Sequence, residues 1–294
     1  MTWRLILLIF CLFFSIECSQ YCQKQYQCGN DIHTMCKRGQ CGPSSACGEN
    51  FVALGMNKQT RKFVLELHNG IRNRIALGKI KEGNNGEAAN MHELVYDNEL
   101  EKIAQCWANY CEKDGFRHPH DSCRKTKQFN YVGQNLYLIK MHFGNFTSTR
   151  FIEQSINGWY SEIKYMDKTI IDRFHGSERG NVGHFTQMIW AETTHIGCGR
   201  TQYGKGKNFY FLFICNYGIG GNVAGDAVYT RGKPCSQCGK IGCSSRYKGL
   251  CATKDLSIIG SRTVIKSVWV NLIVLIAIIC NYLKAFLKYV LNKL

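Results

Sequence analysis

The chain has 294 residues, 45% of them hydrophobic, which is enough to bury a substantial core and excludes a disordered protein. Its formal net charge of +16 suits an anionic glycan or membrane surface, or is simply a solvated basic face. Seventeen cysteines exclude an ordinary reducing compartment and point to a secreted, disulfide-bonded protein, where nucleic acid is not expected as a partner and no recognition motif for it occurs.

Arg4, the apolar run 5–14 and the small and polar residues around Cys18 and Ser19 have the order of a cleaved secretory signal, predicted over residues 1–18. Residues 19–58 are cysteine-rich and weakly periodic, so disulfides rather than a core are expected to hold this N-terminal extension. Residues 59–232 have the periodicity of a folded domain. Val64, Leu67, His68, Ile71 and Ile75 recur at helical spacing and predict a helix over 60–76. Leu100, Ile103, Ala104, Trp107, Ala108 and Cys111 predict a second, opened by a capping box of Asn98 and Glu101. Asn145 with Thr147 is an N-glycosylation acceptor between elements. A third helix is predicted over 151–165, with Ile152, Ile156, Trp159 and Ile163 on one face. The aromatic stretch 208–218, bounded by glycines, predicts a buried central strand, and 195–202 its neighbour across a glycine-rich loop at 204–206. The class is α+β, helices packed on an antiparallel sheet, with Trp159, Trp190 and Tyr217 in the core.

Residues 233–252 concentrate four cysteines in a compact module, 253–263 form a spacer, and 284–294 a basic tail. Between them, 264–283 holds an uncharged run of sixteen residues, 268–283, flanked by lysines. At 1.5 Å per residue that run reaches about 24 Å, a marginal single membrane span with the folded part outside and the trailing lysines inside. A rival is the precursor tail of a lipid anchor, removed in the mature protein, and a third possibility is a soluble product. Setting aside Cys11, Cys18 and Cys280 leaves fourteen cysteines, an even number compatible with seven disulfides.

GHFTQMIWAETTHIGCG, residues 183–199, resembles a signature of the CAP superfamily, the cysteine-rich secretory, antigen-five and pathogenesis-related proteins. FICNYGIGGNVAGDAVY, 213–229, resembles its second signature, and HNGIRNRIALG, VGQNLY and WYSEI fall in the family's order before them. The pattern of Tyr21-Cys22, Cys28, His33 to Cys36 and Cys47-Gly48 is most similar to insect antigen-five proteins. The resemblance covers residues 21–251 and implies a three-layer α-β-α sandwich. It also implies disulfides Cys22 to Cys36, Cys28 to Cys123, Cys47 to Cys111 and Cys198 to Cys215. The module at 233–252 looks like the hinge of cysteine-rich secretory proteins, which implies Cys235 to Cys243 and Cys238 to Cys251. Cys41 and Cys106 are then left over and are expected to bond to each other. A zinc site at Cys235 and Cys238 is the alternative, disfavoured in an oxidising compartment.

The same resemblance implies a central cleft with two histidines and two acids, able to bind a divalent metal, commonly zinc. By motif these positions are His184 of GHFTQ, His120 of HPHDSCR in preference to His118, and Glu162 of WYSE. The fourth departs from the broad family: Gln134 stands where many members have glutamate, so the position supplies neither negative charge nor a general base. Zinc or another divalent ion is therefore expected to bind weakly if at all. A Ser/His/Glu hydrolase is the alternative, but no Gly-x-Ser-x-Gly motif occurs and no serine is singled out. The expectation is a non-enzymatic extracellular protein presenting its cleft at the cell surface to an unidentified protein or lipid. A structural or adhesive protein with a vestigial cleft is the other alternative. Channel block is disfavoured, because the hinge-like module is followed by the spacer and the apolar segment rather than a further cysteine-rich domain.

Overall fold

The computed structural model describes residues 20–84, 86–111 and 119–254. The described residues up to Thr253 belong to one compact unit. The signal at 1–18, the apolar segment at 264–283 and the basic tail lie outside the described residues, as does His118. Among the described residues no helix is long and apolar enough to cross a membrane.

The sheet has five strands: β1 (Val52–Ala53), β2 (Val95–Tyr96), β3 (Val132–Met141), β4 (His195–Lys205) and β5 (Asn208–Gly218). Their order is β1-β4-β5-β3, with β2 pairing parallel to β4 and the long strands antiparallel. The central strand β5 has the bounds expected from its aromatic run. Its alternate residues serve two faces, as the two-residue period of a strand requires. Phe211, Phe213, Cys215 and Tyr217 enter the large core beneath the helices Lys58–Ala76, Arg150–Tyr160 and Gly183–Ile189, whereas Leu212 and Ile214 pack with Ala104 and Ala108 of the helix Asn98–Ala108. Helices on both faces give three layers. β4 runs further than expected, through Gly204 to Lys205, because the ladder with β5 continues to the pair Lys205 and Asn208. The connection is thus the two residues Gly206 and Lys207, with Gly206 in the left-handed region such a turn needs.

The helices are α1 (Thr34–Lys37), α2 (Lys58–Ala76), α3 (Asn98–Ala108), α4 (Arg150–Tyr160), α5 (Lys168–Asp172) and α6 (Gly183–Ile189). α2 begins two residues before the expected position, in a capping box between Asn57 and Thr60. α3 corrects the sequence expectation. Its cap is Asp97, whose carboxylate accepts from Leu100 N at 2.7 Å, not Asn98. Glu101 has no part in a box, because Arg61 of α2 takes both its oxygens, at 2.7 and 2.5 Å. The helix expected over 151–165 ends at Tyr160 and tightens into a 3-10 turn, Ser161–Tyr165.

Seven disulfides join Cys22 to Cys36, Cys28 to Cys123, Cys41 to Cys106, Cys47 to Cys111, Cys198 to Cys215, Cys235 to Cys243 and Cys238 to Cys251. Cys198 and Cys215 sit directly opposite in the β4–β5 register. The N-terminal extension is not held by disulfides alone. Tyr21, Tyr26 and Met35 form a small core with Ile103 and Cys106 of α3, and Tyr21 stacks on His33 at 4.7 Å. Trp159, Trp190 and Tyr217 are all buried.

Candidate functional site

The 3-10 turn that ends α4 delivers Glu162 to the start of α6. One carboxylate oxygen, Oε2, accepts from the backbone N–H groups of His184 and Phe185 at 2.9 and 3.0 Å. The other, Oε1, lies 2.6 Å from His184 Nδ1. A carboxylate only accepts, so His184 carries a proton on Nδ1, and in the neutral ring the lone pair is on Nε2. The imidazole lies parallel to the Trp159 indole, which itself donates to Leu136 O at 3.0 Å. Behind it, Asn135 Nδ2 donates to His184 O and to Tyr217 Oη, and Tyr217 is bonded at 3.0 Å to the buried His68.

His120 reaches the site from the loop before β3. Its Nδ1 is 2.9 Å from Gln134 Oε1. The orientation of that amide follows from its other partners. Gln134 Nε2 is 2.9 Å from both Asp121 Oδ1 and Asn216 Oδ1, and Asn216 is turned that way because its own amide donates to Leu100 O. Two acceptors on one side require the NH2 group there, which leaves oxygen facing the histidine. His120 therefore also donates through Nδ1 and keeps its lone pair on Nε2. Burial pushes its pKa below the ordinary histidine value, the charge of Arg124 and the repulsion two protonated rings would feel with His184 push the same way, and the bond to Gln134 and the carboxylate of Asp121 oppose them. The residue as a whole is exposed to solvent. The neutral ring is the form a metal requires.

The structure thus brings His120 and Gln134 into one hydrogen-bonded group, Glu162 and His184 into another, and sets the two imidazoles near enough to influence each other's charge. Sequence reasoning missed Asp121, Asn216 and Thr34, whose hydroxyl donates to Asp121 Oδ2 at 2.6 Å. Only Asp121 had a signal, as the carboxylate next to His120. Among the described residues no hydroxyl or thiol is hydrogen-bonded to either imidazole. Cys235, Cys238 and Cys243 have sulfurs within 4.8 Å of one another, but all three are bonded in disulfides and offer no thiolates. Asn145 is exposed, its Oδ1 accepting from the Thr147 hydroxyl at 2.8 Å.

Residues 65–217 match the model of the cysteine-rich secretory protein family. A CRISP/Allergen/PR-1 protein of Trittame loki is 34% identical over 258 residues, 85% of this chain, which spans 60% of that relative's length. A venom allergen 3 homolog of Dinoponera quadriceps is 37% identical over 224 residues, covering 74% of this chain and 92% of the relative. Among solved structures, NaASP2 with Zn2+ is 31% identical with a TM-score of 0.55, covering 67% of this chain and 97% of that one.

Proposed function

The chain belongs to the cysteine-rich secretory protein family, and from that premise we propose that it is a non-enzymatic extracellular protein whose cleft takes a divalent metal ion, zinc or a similar one, and presents it to a protein or lipid ligand. One observation carries the reading. On both histidines Nδ1 is engaged by an acceptor fixed from elsewhere in the fold, Gln134 on one side and Glu162 on the other, which leaves Nε2 of each as the available donor. Metal-ligating histidines are ordinarily held in this way, through the nitrogen that does not touch the metal. The solved relative NaASP2 with Zn2+ supports the choice of ion.

The donor set fits weak, exchangeable binding. His120 and His184 would hold the ion, with water completing the shell. Glu162 spends both oxygens on His184 and Phe185, and Gln134 spends its amide on His120, Asp121 and Asn216, so each orients a ring rather than ligating. A bound ion supplies a positive charge and an open position for an anionic or carbonyl group of a ligand. The hydrolase alternative has less support, since no hydroxyl or thiol among the described residues is hydrogen-bonded to either imidazole. Tethering through 264–283, by a span or a lipid anchor, would place the cleft at the cell surface.

Calorimetric titration of zinc into the full chain tests this. About one ion per chain is expected, with binding lost in both His120→Ala and His184→Ala while the unfolding midpoint stays near wild type. No heat at about 1 mM zinc, an affinity limit near 4 kcal/mol, would remove the metal role and leave a cleft of structural use only.

A further inference from the structure

We infer that the disulfide-rich N-terminal extension sets the tautomer of His120, through the hydrogen-bonded chain Thr34, Asp121, Gln134, His120. Its consequence for metal affinity rests on the proposed metal cleft, but the chain of bonds is in place without a metal.

The relay runs through three buried groups, Thr34, Asp121 and Gln134, to the exposed His120. Gln134 is pinned in β3 with Oε1 toward His120, because Asp121 and Asn216 both present oxygens to its NH2. Asp121 is the group that aims it, and Asp121 is itself held from outside the domain core. Its second oxygen receives the Thr34 hydroxyl at 2.6 Å, and Arg124 lies 3.0 Å from the first. Thr34 opens α1 in the extension. That helix is docked beside Asp121 by Thr34 N to Cys123 O at 2.9 Å, by His33 Nε2 to Lys125 O at 2.8 Å, and by the Cys28 to Cys123 disulfide. Thr34 and Asp121 are both buried, so water does not compete for these bonds.

The same geometry accounts for an amide at position 134. A glutamate there would set a second carboxylate against Asp121 and an oxygen against Asn216 Oδ1, a like-charge contact in a buried place. Asp121 and Gln134 are a matched pair: the fixed carboxylate requires a donor, and the amide that supplies it turns its oxygen to the imidazole. Without that oxygen nothing described holds the His120 proton on Nδ1, and the ring is free to place it on Nε2, where it blocks the lone pair a metal needs.

Thr34→Val keeps the shape of the side chain and removes only the hydroxyl, which bonds Asp121 rather than a proposed metal ligand, and Thr34→Ser restores it. In the full chain without metal, the ring-nitrogen NMR signals of His120 should report Nδ1–H in wild type and in Thr34→Ser. In Thr34→Val they should shift toward a mixture containing Nε2–H. Zinc affinity should fall about fivefold in Thr34→Val, the effect of one lost hydrogen bond, and recover in Thr34→Ser. A lower unfolding midpoint with tautomer and affinity unchanged would make Thr34 a structural residue and overturn the relay. Should wild type bind no zinc while the tautomer still moves, the relay stands and the metal role falls. If Thr34→Val does not fold, Asp121→Ala, which removes the acceptor facing Gln134, carries the same test, and an unmoved His120 tautomer in that variant also overturns the inference.

Discussion

Arg72 is fully buried and forms no ion pair among the described residues, Glu192 acting on it only through its longer-range charge. Its guanidinium donates instead to the carbonyl oxygens of His92, Met188, Trp190, Ala191 and Thr193. Burial pulls its pKa down to about 9, so it remains charged at neutral pH, stabilised by five carbonyl dipoles. Four of those carbonyls end α6, which carries His184, and form the turn into β4, and the fifth, His92 O, lies just before β2. A planar fork of five N–H groups is what such a set demands, and a lysine, with three donors on one atom, cannot reach it. Arg72→Lys should cost about 3 kcal/mol, the penalty for leaving buried carbonyls unpaired, measured as a lower urea midpoint at unchanged slope. A variant as stable as wild type would show that the turn closes without the arginine. The sequence carried no sign of this role, because a buried cation satisfied wholly by carbonyls leaves no charged partner to look for. His184 and Glu162 were legible through their motifs, but the role of Glu162 was not. It is a cap and an orienting group, and that depends on a 3-10 turn bringing residue 162 to the start of a helix that begins at 183.

At the scale of elements, the pairing of α3 with β4 depends on absent side chains. A Cβ at Gly199 would lie 2.4 Å from Gln105 N and Cα, and one at Gly197 would lie 2.2 Å from Glu101 N. Both contacts are to helix backbone, which no rotamer change relieves. The Gly-Cys-Gly of the signature is thus two places of close approach around a half-disulfide. Gly199→Ala should push α3 off the sheet and cost 3 kcal/mol or more by about the scale of severe overpacking, with a drop in melting temperature and poor secretion as the readouts. Retention of wild-type melting would mean the helix has room to shift. The periodicity of α2 and the aromatic run of β5 were visible because each buries one regular face. The cap of α3 was misread because Asp97 and Asn98 are both good capping residues, and only the tertiary pairing of Glu101 with Arg61 decides between them. The small core of the extension escaped notice since Tyr21, Tyr26 and Met35 follow no period and find their partners on α3. The disulfide partners were legible through the family resemblance, not through spacing.

Across the whole molecule, three histidines in separate regions respond to acid in the same sense. His33 in the extension, His68 in α2 and His92 before β2 all have pKa values below the ordinary one, and burial is the largest cause in each. For His68 the value is pushed down to about 4, because the ring is fully enclosed and the charge of Arg72 adds to that effect, while the bond to Val64 O opposes both. In the unfolded chain these groups take up protons near pH 6.5, while in the folded protein they do so only at lower pH. Between those values the unfolded state binds more protons, so stability is complete above about pH 6.5 and declines as the pH falls toward 4. From His68 alone the loss amounts to about 3 kcal/mol once the pH is below its folded value. The chain already carries a net charge of +16, and each added proton increases its self-repulsion. Urea unfolding with disulfides intact, followed from pH 7.5 to 4, should therefore show stability flat above pH 6.5 and falling below it. His68→Gln supplies an amide donor and acceptor that never titrate, so it should start less stable at pH 7.5 and lose less on acidification. An identical slope in wild type and His68→Gln would move the acid sensitivity away from the buried ring that backs the cleft.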